Sequence, residues 1–381
     1  MQIAVIGAGV GGLVTAIGLQ RDGHEVTLLE RRDDDGDVGA GLSLFGNSFA
    51  ALDALGLGDV VRAVSTDEIA WMRSGHRRPD GRWLTRIPQD AIASLRTMHR
   101  SDLHRALVAQ LAEGTLRTGC DAAVSDLGAP WVTAAGRMED YDLVVVADGI
   151  HSPNRARLGL DPGLRYAGYV AWRGVTGDRV DLGGAAGITW GRGRHFGMAP
   201  LPDDRVYWFA TLNTPPGGGN DDEHAEVMRL FAGWHAPVAE LLRATDPDAV
   251  LRHDIQDLAE PLPTYVRERA VLLGDAAHGM TPDLGQGAGQ VIEDAATLVL
   301  LMRGARGTAD VPDVLGRYDR LRLRRTRRML LRSRRAGRMS RRSGRVATTV
   351  RDAVMRVTPG VVIGRTLQSL IDWTPAEARR S

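Results

Sequence analysis

The feature that most restricts the fold of this chain is a glycine-rich turn close to its N-terminus. Residues 7–12 read Gly-Ala-Gly-Val-Gly-Gly and fit the spacing G-x-G-x-x-G. The apolar run 2–6 predicts a buried strand before the turn, residues 11–22 have helical apolar spacing, and 25–30 predict a second strand. This βαβ context is the one in which the motif binds the pyrophosphate of a dinucleotide. The sequence therefore predicts an α/β fold that begins with a dinucleotide site.

The residues of this turn have separate roles in such a site. Gly7 permits the tight turn, Gly9 lets the backbone approach the pyrophosphate, and Gly12 lets the helix pack closely on the strand. Val10 and Gly11 open the helix, where free N–H groups and the positive end of the helix dipole face the phosphates. All five are therefore predicted to bind the cofactor.

The second predicted strand ends in an acidic residue at the position expected for ribose binding. Glu30 follows Gly12 by 18 residues, and its carboxylate is placed to accept hydrogen bonds from ribose hydroxyls. Arg31 is expected to lie over the adenine. A chance Gly-rich turn is the alternative, and the motif alone does not distinguish FAD from NAD.

Composition removes several classes of chemistry. The 48 basic residues are all Arg, which excludes the lysine of a P-loop and the Schiff-base lysine of pyridoxal enzymes. The one cysteine, Cys120, cannot form an internal disulfide, a four-Cys zinc site or an iron–sulfur cluster, and we predict no bound metal. The chain has no run of 18 apolar residues and no signal-peptide pattern, so a cytoplasmic location is expected.

A second glycine-rich block, far along the chain, indicates a flavin. Residues 270–273 predict a buried strand that runs into Gly274 and Asp275, and a carboxylate at this place can bind a ribityl or ribose hydroxyl. The following loop frees backbone N–H groups at the start of a predicted helix, which suits the anionic N1–O2 edge of a reduced flavin. The loop residues predicted to bind the cofactor are Pro282, Gly285, Gln286, Gly287, Ala288 and Gly289.

Three blocks in this order resemble the single-component aromatic hydroxylases of the para-hydroxybenzoate hydroxylase fold. They are residues 7–12 with Glu30 and Arg31, then Asp148-Gly149, then 274–294, and the resemblance spans about residues 1–330. It implies a Rossmann-like FAD-binding domain interleaved with a β-sheet substrate domain, plus C-terminal helices. Other residues that it places at the cofactor are Gly41, Leu42 and Ser43 beside the isoalloxazine, Arg100 before a Leu-rich helix, Val124, and the pair Asp148 and Gly149.

The resemblance implies an FAD-dependent monooxygenase. In such enzymes NAD(P)H reduces the flavin, O2 adds at C4a, and the hydroperoxide hydroxylates or epoxidises an aromatic or polycyclic small molecule. This chain has no second G-x-G-x-x-G, which fits a family in which the nicotinamide binds transiently without its own domain. A flavin-dependent reductase or dehydrogenase on the same fold, and a non-catalytic flavoprotein, are the alternatives. The exact substrate, the choice of NADH or NADPH and the oligomeric state stay open.

The β-rich middle of the chain is predicted to bind the substrate. Residues 165–174 resemble a substrate-domain strand of salicylate, hydroxynicotinate and urate hydroxylases. In the urate enzymes an Arg and a Tyr twelve residues apart handle the substrate. This chain has His195 twelve residues before Tyr207, and Arg194 would point the opposite way on a strand. His195 is a candidate general base and Tyr207 a candidate catalytic residue, with structural packing as the alternative for each.

The C-terminal third is strongly basic. Residues 317–345 contain 14 Arg and one acid, a charge of +13 against −12 for the remainder. We expect one long helix over 312–345 that lies across the acidic body with its Arg residues paired, and weak contact with a membrane surface is the alternative. No motif supports nucleic-acid binding. The predicted domains are FAD-binding 1–69, 97–164 and 266–302, substrate 70–96 and 165–265, and C-terminal helical 303–381.

Overall fold

The protein is described here by a computed structural model that covers residues 1–33 and 40–375. The polar residues 33–37, which are typical of a loop, lie outside these ranges beyond Asp33, as does Gly39, which precedes the predicted flavin-bordering strand. The strands are β1 (Gln2–Ile6), β2 (Glu25–Leu29), β3 (Gly41–Leu44), β4 (Gly75–Arg77), β5 (Trp83–Arg86), β6 (Arg96–His99), β7 (Leu116–Arg117), β8 (Ala123–Val124), β9 (Trp131–Ala134), β10 (Arg137–Asp140), β11 (Leu143–Val146), β12 (Leu164–Val175), β13 (Gly187–Trp190), β14 (Arg194–Pro200), β15 (Val206–Asn213), β16 (Leu251–Leu258), β17 (Val266–Arg267) and β18 (Ala270–Leu272).

The α-helices alternate with these strands in the first half and form the C-terminal end. They are α1 (Val10–Arg21), α2 (Gly46–Ala54), α3 (Gly58–Ala63), α4 (Glu68–Trp71), α5 (Arg100–Val108), α6 (Pro153–Arg157), α7 (Glu223–Phe231), α8 (Val238–Arg243), α9 (Asp275–His278), α10 (Gly287–Met302), α11 (Val311–Ser340), α12 (Arg345–Val357) and α13 (Gly360–Ile371). The fold is α/β, as predicted.

A six-stranded sheet holds the dinucleotide turn. Its strand order is β17-β18-β11-β1-β2-β7, and β1 pairs in parallel with both β2 and β11. The four residues Leu143–Val146 of β11 and three of β1 are fully buried, because helices cover both faces of a parallel sheet. The predicted βαβ unit is therefore confirmed, and the carboxyl ends of β1, β11 and β18 meet at one edge.

A seven-stranded sheet lies in the predicted substrate region. Its order is β16-β12-β15-β14-β13-β4-β5, so residues 75–86 join strands from 164–258 in one sheet. This agrees with a substrate domain made of two separate chain segments, although the exact domain limits stay a prediction. One face of the sheet packs on α7 and α8 through Trp172, Trp208 and Phe196.

Helical apolar spacing also predicts helices over 101–112, with Ser101 as N-cap, and over 222–245, and the structure corrects these limits and those of the helix at 312–345. The helix predicted to start after an N-cap at Ser101 begins at Arg100, and Ser101 lies within its first turn. The helix predicted at 222–245 is two helices, separated by residues 232–237. The helix predicted at 312–345 ends at Ser340, because the chain turns there and Gly344, in an extended conformation, precedes α12.

The Arg-rich helix α11 packs on the body of the protein, as expected. Its apolar side is buried at Tyr318 and Met329. Arg325 pairs with Glu293, Arg334 with Asp257, and other Arg residues pair with nearby acids. Within the described ranges, no helix is long and apolar enough to cross a bilayer.

Candidate functional site

Backbone geometry explains why the N-terminal turn requires glycine at two of its positions. Gly7 has φ +101°, and a Cβ there would lie 2.5 Å from the carbonyl oxygen of Ala147. A Cβ on Gly12 would lie 1.9 Å from the carbonyl oxygen of Gly7. Both obstacles are backbone atoms that cannot move aside. Gly11 is required for another reason, because its Cβ would meet Val291 of α10 at 2.4 Å.

Three glycines of the predicted site instead border open space. A Cβ added to Gly9, Gly149 or Gly287 would meet no atom within 4 Å. Gly9 belongs to the N-terminal turn, Gly149 follows β11, and Gly287 begins α10. Three chain segments that are far apart in sequence therefore keep their backbones accessible for a ligand.

The acid at the end of β2 lies against the same turn. One carboxylate oxygen of Glu30 accepts a hydrogen bond from the Ala8 N–H at 2.7 Å, and the other accepts from the Arg32 N–H at 3.0 Å. These bonds hold the carboxylate beside the turn, where ribose hydroxyls can reach it. Arg31 is exposed, and its predicted stacking on adenine stays a prediction.

The second block folds into a compact set of contacts after β18. Asp294 of α10 accepts from the Gly274 N–H at 2.9 Å and contacts His278 Nε2 at 2.5 Å. The Asp275 side chain is exposed at the start of α9, although nearby protein shields its carboxyl from much of the surrounding water. Burial raises the pKa of Asp275, and the positive charges of His278 and Arg100 partly oppose that shift. The charge of Arg100, at the start of α5, therefore acts on the Asp275 carboxyl.

The loop that starts α10 presents unused polar atoms. Gly285 has φ +63°, in the left-handed region that favours glycine. Asn47 Nδ2 donates to Gln286 Oε1 at 3.1 Å and to Glu293 at 2.7 Å. Gln286 Nε2 and Asn47 Oδ1 are buried without a partner in the described part of the chain. Orphaned buried groups of this kind fit a site that a polar cofactor completes.

The flanking residues of this loop lie around the same helix start. Pro282 opens the short turn 282–284, Ala288 lies in the first turn of α10, and Gly289 packs against Ser48 of α2. Glu293 and Asp294, on the same helix, belong to the sequence block 274–294, but the sequence did not indicate their partners. Those partners are Arg322 and Arg325 of α11, and nothing in the local pattern identified them.

Asn154, which no sequence motif indicated, joins Asp148 to Val124. Asn154 donates to Asp148 Oδ2 at 2.9 Å and accepts from the Val124 N–H at 2.8 Å. Asp148 Oδ1 remains buried without a partner among the described residues, and burial raises the pKa of this carboxyl. Asn154 therefore positions both predicted residues at the end of β11.

The seven-stranded sheet presents its second face towards these cofactor segments. Trp172, Phe196 and Trp208 point into the core beneath α7 and α8, so their neighbours in β12, β14 and β15 point the other way. Cross-strand pairing places Arg173, Phe209 and Gly197 in one row on that face. The row above it contains Ala171, Thr211 and His195.

Two contacts show how this face meets the cofactor segments. The ring of Tyr207 fills the space that a Cβ on Gly41 would need, with Cγ 2.3 Å from that position. Gly41, Leu42 and Ser43 lie in β3, which pairs with β6 just before Arg100. At the other end, the Tyr169 hydroxyl donates to Asp283 at 3.2 Å. The rows of Arg173 and Thr211 lie between these two contacts.

His195 lies on this face, but its contacts favour a structural role. Its side chain is 5% exposed, and Nε2 lies 3.1 Å from the Ser340 carbonyl oxygen. Burial lowers the pKa of His195 to about 3, so the ring stays neutral near pH 7. Its catalytic role therefore stays a prediction. Arg194 contacts the Leu230 carbonyl of α7 on the other face, as strand alternation predicted.

Tyr207 also stays a candidate. Burial raises the pKa of its hydroxyl, and a hydrogen bond from Arg173 partly opposes that shift. The hydroxyl is therefore protonated at neutral pH, and it lies beside the guanidinium that faces the same pocket.

Known proteins resemble this chain in sequence and in structure. A family model described as "FAD binding domain" matches residues 1–333. The aurachin C monooxygenase/isomerase of Stigmatella aurantiaca is 33% identical, over 98% of this chain and 99% of the relative. The FAD-dependent urate hydroxylase of Klebsiella pneumoniae subsp. pneumoniae is 33% identical, over 87% and 88%. The crystal structure of Klebsiella pneumoniae HpxO complexed with FAD and uric acid superimposes with a TM-score of 0.88, at 29% identity, over 97% and 96%.

Proposed function

Because this chain belongs to the FAD binding domain family and is an FAD-dependent monooxygenase, we propose that it uses NAD(P)H and O2 to hydroxylate or epoxidise an acidic aromatic small molecule. The observation that carries this proposal is the position of Arg173. Its side chain lies beside Tyr207 on the sheet face that meets the cofactor segments, and among the described residues it forms no ion pair with a carboxylate. A cation in such a place suits a substrate with a phenolate, enolate, carboxylate or acidic ring nitrogen.

The residues present fit FAD. The Gly7–Gly12 turn and the start of α1 would hold the pyrophosphate, Glu30 the adenosine ribose, and Asp275 a ribityl hydroxyl. The open backbone of Gly287 at the start of α10 would face the flavin ring. Bound FAD would supply the redox chemistry, accepting a hydride from NAD(P)H and activating O2 for transfer of one oxygen atom.

The protein's own task is then to bind and orient the substrate. The ring of Phe209 fills the space over Gly197, where a Cβ would lie 2.1 Å from that ring, and so forms a flat apolar surface. Arg173 lies at one end of this surface, and the Thr211 hydroxyl, buried without a described partner, lies in the next row. An aromatic ring on Phe209 with its acidic group at Arg173 would use both features.

The test is a turnover assay with the purified, FAD-loaded protein. NAD(P)H oxidation, O2 uptake and oxygenated product would be measured with aromatic acids, purines, quinolones and polycyclic phenols, and with their neutral analogues. We expect stimulation by acidic members of the panel. Substrate reduction without O2 uptake would support a reductase instead, and FAD retention without stimulated NAD(P)H oxidation by any compound would support a non-catalytic flavoprotein.

Arg173→Gln tests the proposed role of the cation directly. Loss of a charge-assisted hydrogen bond is expected to raise KM for the acidic substrate about 10- to 100-fold while FAD content is unchanged. Arg179→Gln, at an exposed arginine of the same region, is the matched control and should behave as wild type. Equal KM values for the two variants would contradict the proposal.

A further inference from the structure

Helix α12 has its apolar side turned away from the protein. Val346, Val350 and Val357 are 78%, 57% and 78% exposed, and they lie on one face at spacings of four and seven residues. Val354 is 52% exposed beside them. Most surface helices of folded proteins bury such an apolar stripe and expose the polar one.

The polar side of α12 is the side that faces the protein. Arg351 and Thr348 are buried, and one Nη of Arg351 donates to the Ser340 carbonyl at 2.6 Å and to the Gly191 carbonyl at 3.1 Å. The guanidinium also binds Asp352 and lies over the ring of Trp190. These polar contacts fix the rotation of the helix, so the valines cannot turn inward without breaking them.

The exposed apolar surface continues onto the next helix. Val361 and Val362, at the start of α13, are 60% and 50% exposed. We call the six exposed valines of α12 and α13 the valine surface: Val346, Val350, Val354, Val357, Val361 and Val362. They are six of the ten exposed large apolar side chains in the described part of the chain, which makes this a patch and not a scatter.

Positive charge surrounds the valine surface. Arg342, Arg345, Arg356 and Arg365 are exposed, and none of them forms an ion pair with a described residue. The segment 341–371 contains six Arg and a single acid, Asp352, which is already paired with Arg351. A second copy of this chain would bring two such Arg clusters together, which disfavours a symmetric dimer through this surface.

We propose that the valine surface and its surrounding arginines bind an anionic lipid membrane surface. A convex helix with small aliphatic side chains and a basic border suits insertion into a soft interface better than docking into a rigid protein pocket. Valines reach less deeply than Trp or Phe, so the contact is shallow, reversible and dependent on anionic headgroups. This inference is independent of the substrate proposed above.

The experiment is co-sedimentation of the full-length, FAD-loaded protein with vesicles. Vesicles of equal parts phosphatidylglycerol and phosphatidylcholine would be compared with vesicles of phosphatidylcholine alone, at low and high salt. We expect binding to the anionic vesicles only, and release at high salt, because salt screens the arginine–headgroup attraction. No binding to anionic vesicles, or equal binding to neutral ones, would overturn the proposal.

Two sets of variants distinguish binding through the valine surface from nonspecific binding to vesicles. Val350→Glu with Val357→Glu is expected to abolish sedimentation, and Arg345→Gln and Arg356→Gln are each expected to lower the vesicle partition coefficient about fivefold. The matched control is Leu127→Glu with Met138→Glu, two exposed apolar residues elsewhere, which should bind as wild type. Bound flavin checks that every variant is folded. An equal loss of sedimentation in the control variant would refute a lipid-binding surface. So would a wild-type dimer that Val350→Glu with Val357→Glu converts to a monomer.

Discussion

Two glycines of the N-terminal motif are required for opposite physical reasons. At Gly12 a side chain is excluded by the protein itself, since its Cβ would lie 1.9 Å from the Gly7 carbonyl oxygen. At Gly9 nothing lies within 4 Å, so the protein alone tolerates a side chain and only the cofactor would not. We therefore expect Gly12 to be needed for folding and Gly9 for binding of the cofactor.

Substitution by alanine should separate these two effects. Gly12→Ala is expected to lower the free energy of unfolding of the apoprotein by about 2–4 kcal/mol, because the backbone must move. Gly9→Ala should leave apoprotein stability within about 0.5 kcal/mol but weaken FAD binding at least about tenfold. Urea unfolding of apoprotein and flavin titration measure the two quantities. A Gly9→Ala variant with unchanged FAD affinity would argue against a pyrophosphate beside Gly9.

At the scale of elements, α10 and α11 form one unit that holds the cofactor loop. Arg322 is 1% exposed and contacts the carboxylates of Glu293 and Asp294 at 2.6 and 2.5 Å. Asp294 in turn accepts from the Gly274 N–H, next to Asp275. The Arg-rich helix was expected to lie across the acidic body with its Arg residues paired. Its buried Arg322 does so, and it supports the segment 274–294 from the side of α11.

Removing this arginine should destabilise the protein and the cofactor site together. Arg322→Gln removes the buried cation that Glu293 and Asp294 share and leaves Glu293 with only its pair to Arg325. Loss of this buried cation is expected to cost about 3–5 kcal/mol of the free energy of unfolding and to weaken FAD binding. Arg324→Gln, at an exposed neighbour on the same helix, is the control and should change stability by less than about 0.5 kcal/mol. Urea unfolding and flavin fluorescence titration report both effects. Similar stabilities for the two variants would disprove the role given to Arg322.

At the scale of the whole molecule, the C-terminal helices cover one end of the seven-stranded sheet and bury two histidines there. His76 and His195 flank the ring of Trp190, with centroid distances of 4.2 and 5.9 Å. Burial lowers the pKa of His76 to about 4 and that of His195 to about 3, and the positive charge of Arg351 adds to both shifts. Arg341 acts on His195 in the same direction.

These shifts predict destabilisation in mild acid. Both rings are neutral in the folded state, whereas the unfolded chain binds protons once the pH falls below about 6.5, so the folded state loses stability from there towards pH 4. At pH 5 each histidine should contribute a loss of about 2 kcal/mol relative to pH 7. His195→Asn should remove its share of this loss, and the exposed His151→Asn should not. Urea unfolding at pH 5 and pH 7 measures this change in the free energy of unfolding. An unchanged pH dependence in His195→Asn would contradict the low pKa of His195.

The βαβ unit at the N-terminus could be predicted from the sequence because its determinants are local. Strand, turn and helix around Gly7–Gly12 follow from hydrophobic periodicity and glycine spacing over about twenty residues. The block 274–289 could be identified in the same way. Asn154, by contrast, joins Asp148 to Val124 across thirty residues, and no local pattern distinguishes it from other asparagines.

The sequence by itself determined the α/β class and the strand, turn and helix around Gly7–Gly12, because each depends on short-range backbone requirements. It also indicated FAD as the cofactor, and the roles of the single residues stay predictions. Only the tertiary structure decided how the ends of the chain are used. It paired Arg322 with Glu293 and Asp294, placed Arg173 on the same face of the sheet as Tyr207, and turned the valines of α12 outward. Charge and hydrophobicity indicate that a residue can be buried, paired or exposed. Which of these occurs depends on packing partners from distant parts of the chain.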